Sequence, residues 1–150
     1  MTDFFEFEAD FVESLRCIPM QVRYKLDTCG IKLKLDHWLA FSQMERQAIV
    51  AQPCTTPTQI QECHTLIQDL VQQYTGAPAS ELPIEPEPAW LQGVEVPEAL
   101  LTKAQAVGVA IAPQQWAGLT PLQRFALLKL SRPSHESRNF LPALREFHLA

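Results

Sequence analysis

The side chains most able to do chemistry fall in two places, a scatter of thiols and one arginine-rich loop. Cys54 and the pair Cys63-His64 offer sulfur and imidazole to a metal. Zinc sites usually present two close pairs such as C-x-x-C, and none occurs among Cys17, Cys29, Cys54 and Cys63. Cys63 falls on the apolar stripe of a long helical pattern and Cys29 in a helix's last turn, so both read as buried, inert thiols. Cys17 differs, because Arg16 beside it would favour the thiolate. No base is identifiable near it, so an independent regulator or small thiol-dependent enzyme using Cys17 stands only as the rival reading. The loop Arg132-Pro-Ser-His-Glu-Ser-Arg138 puts a nucleophile type (Ser134), a base type (His135) and two anion-binding guanidinium groups within seven residues. Neighbours in one loop rarely form a working triad, whose members converge from separate elements. Two other readings stay open there: a helix cap at Ser134 or Ser137 with solvated charges, or a protein-docking loop. The five glycines are scattered and make neither a G-x-G-x-x-G nor a P-loop.

Charge narrows the class of partner. The chain carries a net charge of −5, unevenly spread. Residues 1–15 hold five acids and no base, and no Lys or Arg lies between Arg46 and Lys103. From Pro121 onward there are five Arg or Lys against two Glu. An acidic total argues against nonspecific nucleic-acid binding, which depends on Lys and Arg neutralising phosphates. A basic C-terminal patch suits an acidic protein surface better. No apolar run approaches the ~20 residues needed to span a bilayer. The acidic start MTDFFEFEAD lacks a signal peptide's basic n-region, so a cytoplasmic location with reduced thiols is expected.

The elements that position these groups read as helices. Residues 3–8, DFFEFE, could be a strand or an arm anchored by its phenylalanines; the arm is favoured. A short helix is expected over Ala9 to Arg16, with Phe11, Val12 and Leu15 inward. Ile18-Pro19 opens a second helix to about Cys29, with Pro19 at its first position and Gly30 as a left-handed cap. The same reading applies from Val96-Pro97 to Val107 and Gly108. Short extended links (IKLKL, VAIAP) follow each glycine. Trp38 and Trp116 sit in short helices, the later one starting at Pro113. Ser42-x-x-Glu45 and Thr120-x-x-Gln123 spell two capping boxes, starting helices over Gln43 to Ala51 and Pro121 to Ser131. Thr56-Pro57 opens the longest helix and Gly76 closes it; Ile60, Cys63, Ile67, Leu70, Val71 and Tyr74 form its apolar stripe, with a Gln-rich opposite face. Residues 76–97 are too rich in proline for a helix or central strand, and Trp90 and Leu91 are expected to pin them to the body. A last helix near Phe140 to Phe147 tolerates Pro142 only in its first turn.

These elements repeat. At an offset of 78 residues, Pro19, Lys25, Gly30, Trp38, Arg46 and Ala48 fall on Pro97, Lys103, Gly108, Trp116, Arg124 and Ala126. Punctuation and apolar positions recur in phase, the sign of one unit used twice. Arg46 and Arg124 are expected either on the exposed side of their helices or stapling the short Trp helices. The fold expected is therefore all-α and a single domain over 1–150. It has two related helical hairpin units, about 18–75 and 96–147, joined by a Pro-rich linker at about 76–95.

The strings LRCIPMQVRYKLDTCGIKLKL, ASELPIEPEPAWL and LTPLQRFALLKLSRPSHESRNFLPALREF cover much of the chain and are long and specific. On them the chain resembles the nitrate reductase-associated protein family of cyanobacteria. The resemblance implies a non-catalytic accessory role for the cytosolic, ferredoxin-dependent nitrate reductase, a molybdopterin and iron–sulfur enzyme. Stable subunit, maturation factor and ferredoxin-docking aid are all compatible with it. It implies the reductase's catalytic subunit as partner, with ferredoxin as a possible second, and carries over no catalytic residue; from the chain's own motifs no cofactor or metal is expected. The partner-facing surface is expected from this chain's charge pattern at Arg124, Arg132, Ser134, His135 and Arg138, with Arg16 and Arg23 as further candidates.

Overall fold

A computed structural model describes residues 4–9, 15, 17–133 and 135–150, apart from the side chains of 135 and 136. The protein is mostly helical. The helices are α1 (Met20–Cys29), α2 (Leu35–Ala40), α3 (Gln43–Ala51), α4 (Pro57–Thr75), α5 (Glu98–Ala106), α6 (Pro113–Ala117), α7 (Pro121–Leu130) and α8 (Phe140–Glu146). Two two-residue strands, β1 (Ile31–Lys32) and β2 (Ser80–Glu81), pair antiparallel with Ile31 opposite Glu81. Among the described residues no helix is long and apolar enough to cross a membrane. The chain divides into two compact units, Met1–Ile84 and Glu85–Ala150.

In the first unit α1, α2 and α3 pack on α4. Burial follows the helical period: Val22, Leu26 and Cys29 on α1, Ile49 and Val50 on α3, and Cys63, Ile67, Leu70 and Val71 on α4, around Trp38 and Phe41. Tyr74 leaves the stripe; the residue is 42% exposed and its hydroxyl donates to Glu45 Oε1 at 2.6 Å. Pro19 is the N-cap of α1 rather than its first helical residue. Its extended ψ of 156° turns the chain into the helix while its carbonyl accepts from Val22 and Arg23. Pro97 does the same for α5, accepting from Leu100 and Leu101. A proline cap has no side-chain acceptor, so in α1 the buried Glu8 supplies one, its Oε2 taking the Met20 N–H at 2.8 Å. That carboxylate, more than the phenylalanines alone, ties down the arm. Residues Glu6–Glu8 form a 3-10 turn and not a strand, with Phe4 against the core and Phe5 stacked on Phe7. Most of the helix expected at Ala9 to Arg16, Phe11 and Val12 included, lies outside the described residues; Leu15 is buried.

Residues 76–84 belong to this unit. The Gln68 side-chain amide both donates to and accepts from the Ala79 backbone, at 3.0 and 2.8 Å. Leu82 N–H donates to the Gly30 carbonyl at 2.8 Å. Gly30 ends α1 at φ 77°, and a Cβ there would meet Leu82 O at 2.8 Å and Ile84 Cγ1 at 2.9 Å. Only glycine fits both the turn and that approach.

The second unit buries Leu100 and Ala104 of α5, Trp116 of α6, Phe125, Ala126, Leu127 and Leu130 of α7, and Phe140, Ala143 and Leu144 of α8. α7 packs against α8 and against the 3-10 turn Ala89–Leu91. Trp90 meets Phe125 edge-on, centroids 5.0 Å apart. Leu91, expected to pin the linker as well, is 54% exposed, because the turn can point only one of the two neighbouring side chains inward. Pro142 is the third residue of α8, within its first turn.

Candidate functional site

Both capping boxes close. Ser42 Oγ accepts from Glu45 N–H at 3.1 Å while Glu45 accepts from Ser42 N–H at 2.7 Å. Thr120 and Gln123 exchange the corresponding bonds at 3.1 and 2.9 Å. The box fixes the first turn, so the residue after it faces back over the preceding short helix. In both units that residue is arginine. Arg46 donates from Nε to Trp38 O at 3.1 Å, from Nη2 to Leu39 O at 3.0 Å and from Nη1 to Leu15 O at 3.4 Å. Arg124 donates from Nε to Trp116 O at 3.1 Å, from Nη2 to Ala117 O at 3.0 Å and from Nη1 to Trp90 O at 3.2 Å. The last carbonyls of a helix lack the regular i+4 partner and carry its negative dipole end; Trp38 O and Trp116 O accept turn bonds from the Phe41 and Leu119 N–H at 3.2 and 3.1 Å and still offer a second lone pair to the guanidinium fork. Each tryptophan is also tied upstream, Trp38 Nε1 to Leu15 O at 2.7 Å and Trp116 Nε1 to Gln92 O at 2.8 Å.

This geometry decides between the two readings of the arginines: they staple the Trp helices. It also removes Arg124 from the expected docking surface. Arg124 is 7% exposed, packs its guanidinium 5.7 Å over the Trp116 ring and commits its donors to three carbonyls. Its charge is spent on the interior. An arginine one residue past a capping box, eight after a tryptophan, is the signal by which sequence could have assigned this.

Of the other expected docking residues, Arg132 is exposed just beyond α7, and Arg138 is exposed in the 3-10 turn His135–Asn139. That turn also carries the backbone of His135. Ser134 and Arg16 lie outside the described residues, as does the side chain of His135. Arg23 belongs to the first unit, half-buried on α1, with Nε donating to Ile18 O at 3.2 Å. Cys17 is half-buried at the approach to α1.

Cys63 and His64 do not act together. Neighbours on a helix point about 100° apart, so Cys63 is fully buried while His64 Nε2 faces Glu81 Oε1 of β2 at 2.7 Å. The fold instead buries Cys63 in the same core as Cys29, with the half-buried Cys54 packed against that core, and the Cys29 thiol donates to Leu26 O at 4.0 Å. The neighbouring thiols Cys29 and Cys54 first, and the charge of Lys25 after them, hold Cys63 below the usual thiol range, while the neighbouring Cys63 and burial push Cys29 and Cys54 up. Spacings of 25 and 9 residues gave no sign of this convergence. Among the described residues no group of three or more His, Cys, Asp or Glu is placed to hold a metal ion.

The fold and these contacts define a small helical protein whose most distinctive polar groups brace short helices, leaving a basic turn exposed on the second unit. A family model described as conserved nitrate reductase-associated protein matches residues 4–147, and the chain belongs to that family. No curated protein and no solved structure gives a significant match.

Proposed function

We propose that the chain is a non-catalytic accessory or maturation protein that supports an assimilatory nitrate reductase by direct contact in the cytoplasm. Family membership across residues 4–147 carries this reading. The contact surface is the exposed basic turn at Arg132 and Arg138, with Ser134 and His135 between them. Arg23 and Arg16 are secondary candidates. Charge of this kind speeds encounter with an acidic partner and orients it; the reductase is the first such partner and ferredoxin the second. We also read the two braced Trp helices as one supersecondary unit used twice. The matching donors and acceptors at Trp38–Arg46 and Trp116–Arg124 support that reading.

Titration of the purified chain against purified nitrate reductase tests the contact. The native chain should bind, and the Arg132→Glu/Arg138→Glu variant should bind at least tenfold more weakly, about 1.4 kcal/mol, with its helical circular dichroism unchanged. A native chain that does not bind contradicts the contact. Unchanged affinity in the folded double variant contradicts the surface.

A further inference from the structure

We infer, resting on the docking reading of the basic turn, that the surface continues along α8 to Arg145 and takes an acidic helix carrying two carboxylates seven residues apart. The arginines of the chain divide into two groups. Arg23, Arg46 and Arg124 donate to backbone carbonyls, so their charge serves the fold. Arg132, Arg138 and Arg145 are exposed, and among the described residues none of the three is paired with a carboxylate or held by a carbonyl. Among the described side chains after Pro121 the one carboxylate is Glu146, which is half-buried and already engaged. No described side chain of α7 or α8 is left to neutralise the three arginines.

Turn and helix set the spacing. The 3-10 turn His135–Asn139 runs straight into α8, with Asn139 at φ −87° and ψ 0°. From Arg138 to Arg145 the chain makes about two helical turns and advances about 11 Å, which returns both residues to one face. Phe140, Ala143 and Leu144 fill the opposite face and are buried, while half-buried Leu141 and exposed Pro142 lie between the arginines. Leu149 N–H closes the end of α8 on Leu144 O at 2.8 Å, with His148 in the left-handed region at φ 62° and Leu149 buried. Arg145 therefore rides on a fixed turn. A cation in a helix's last turn also complements the dipole, which would account for Arg145 alone. Arg138 stands before the N-terminus of the same helix, the positive end, where the dipole opposes it. Helix stability does not account for the pair; a partner's carboxylates do. An acidic helix laid alongside α8 matches them, because residues seven apart return to one face about 10.5 Å on. Each carboxylate then takes one guanidinium in a two-bond fork, and an apolar side chain between them meets Leu141 and Pro142.

The purified chain and purified nitrate reductase test this in two arms. Arg145→Gln should bind the reductase at least about threefold more weakly, with a shallower salt dependence and unchanged helical circular dichroism. Lys103→Gln, on α5 of the same unit, should bind as the native chain does. In the Arg138→Lys/Arg145→Lys variant, a carbodiimide, which joins amines to carboxylates in contact, should couple positions 138 and 145 to two acidic residues seven apart in one segment of the reductase. Native affinity in Arg145→Gln, an equal loss in Lys103→Gln, or cross-links to unrelated segments would overturn the inference. The docking reading itself would still stand if Arg132→Glu/Arg138→Glu weakens binding. A native chain that does not bind would overturn both.

Discussion

The two Trp–Arg braces use the same donors on the same relative carbonyls, yet they are built into different surroundings. In the first unit one carbonyl, Leu15 O, receives both Trp38 Nε1 and Arg46 Nη1. In the second the duties are split, with Gln92 O taking Trp116 and Trp90 O taking Arg124. Arg46 is half-exposed, whereas Arg124 is buried and closely covered at Gly93, where a Cβ would stand 3.0 Å from Nη2. Water reaches the first brace, with its exposed Leu39 bond, more readily than the second, whose Trp116 bond is buried. The same hydrogen bonds should therefore matter more in the second unit.

Arginine-to-methionine substitutions test this most strongly, since they keep bulk and remove the fork. Each buried carbonyl left without a partner costs about 1–3 kcal/mol. Arg124→Met should therefore lose about 3–5 kcal/mol in urea unfolding and Arg46→Met about 1–2 kcal/mol. Equal losses would break the comparison. Glycine caps give the next largest contrast, in the opposite direction. Gly30 and Gly108 share a positive φ, but a Cβ at Gly108 meets nothing within 4 Å. Gly108→Ala should cost about 1–2 kcal/mol from conformation alone, and Gly30→Ala about 1–3 kcal/mol more from the clash with Leu82 and Ile84. Ser42→Ala and Thr120→Ala should each cost about 1 kcal/mol and differ little, because both caps are exposed.

The smallest contrast is in acid. Glu45 is held below the usual carboxylate range by the Tyr74 hydroxyl first and the Ser42 backbone second, while Gln123 at the equivalent position does not titrate. A depressed folded pKa stabilises above the unfolded value and is lost as pH falls through the folded one. A modest loss of stability should appear below about pH 4.3, and Glu45→Gln should flatten it.

Helix punctuation was legible in sequence because caps and stops act locally: the two capping boxes, Pro113 at a helix start and Gly30 and Gly76 at helix ends all stand where residue type required. What escaped depends on convergence across distance. Glu8 caps a helix twelve residues on, Cys29 and Cys63 enter one core with Cys54 packed against it, and β1 finds β2 across nearly fifty residues. Arg124 escaped for another reason. A guanidinium reads as surface by composition, and only its position after the capping box places it over the last carbonyls of the preceding short helix. The expected docking set lost its most interior member and kept Arg132 and Arg138 as exposed side chains.

The most direct test of the account is the reductase itself, expressed with and without this chain and purified in parallel for specific activity, metal content and co-elution. The account predicts markedly lower activity when the chain is absent. Co-elution with full metal content would mark a subunit, and a metal-poor reductase made alone would mark a maturation factor. Equal activity and metal content in both preparations, with no small chain eluting alongside, would contradict it.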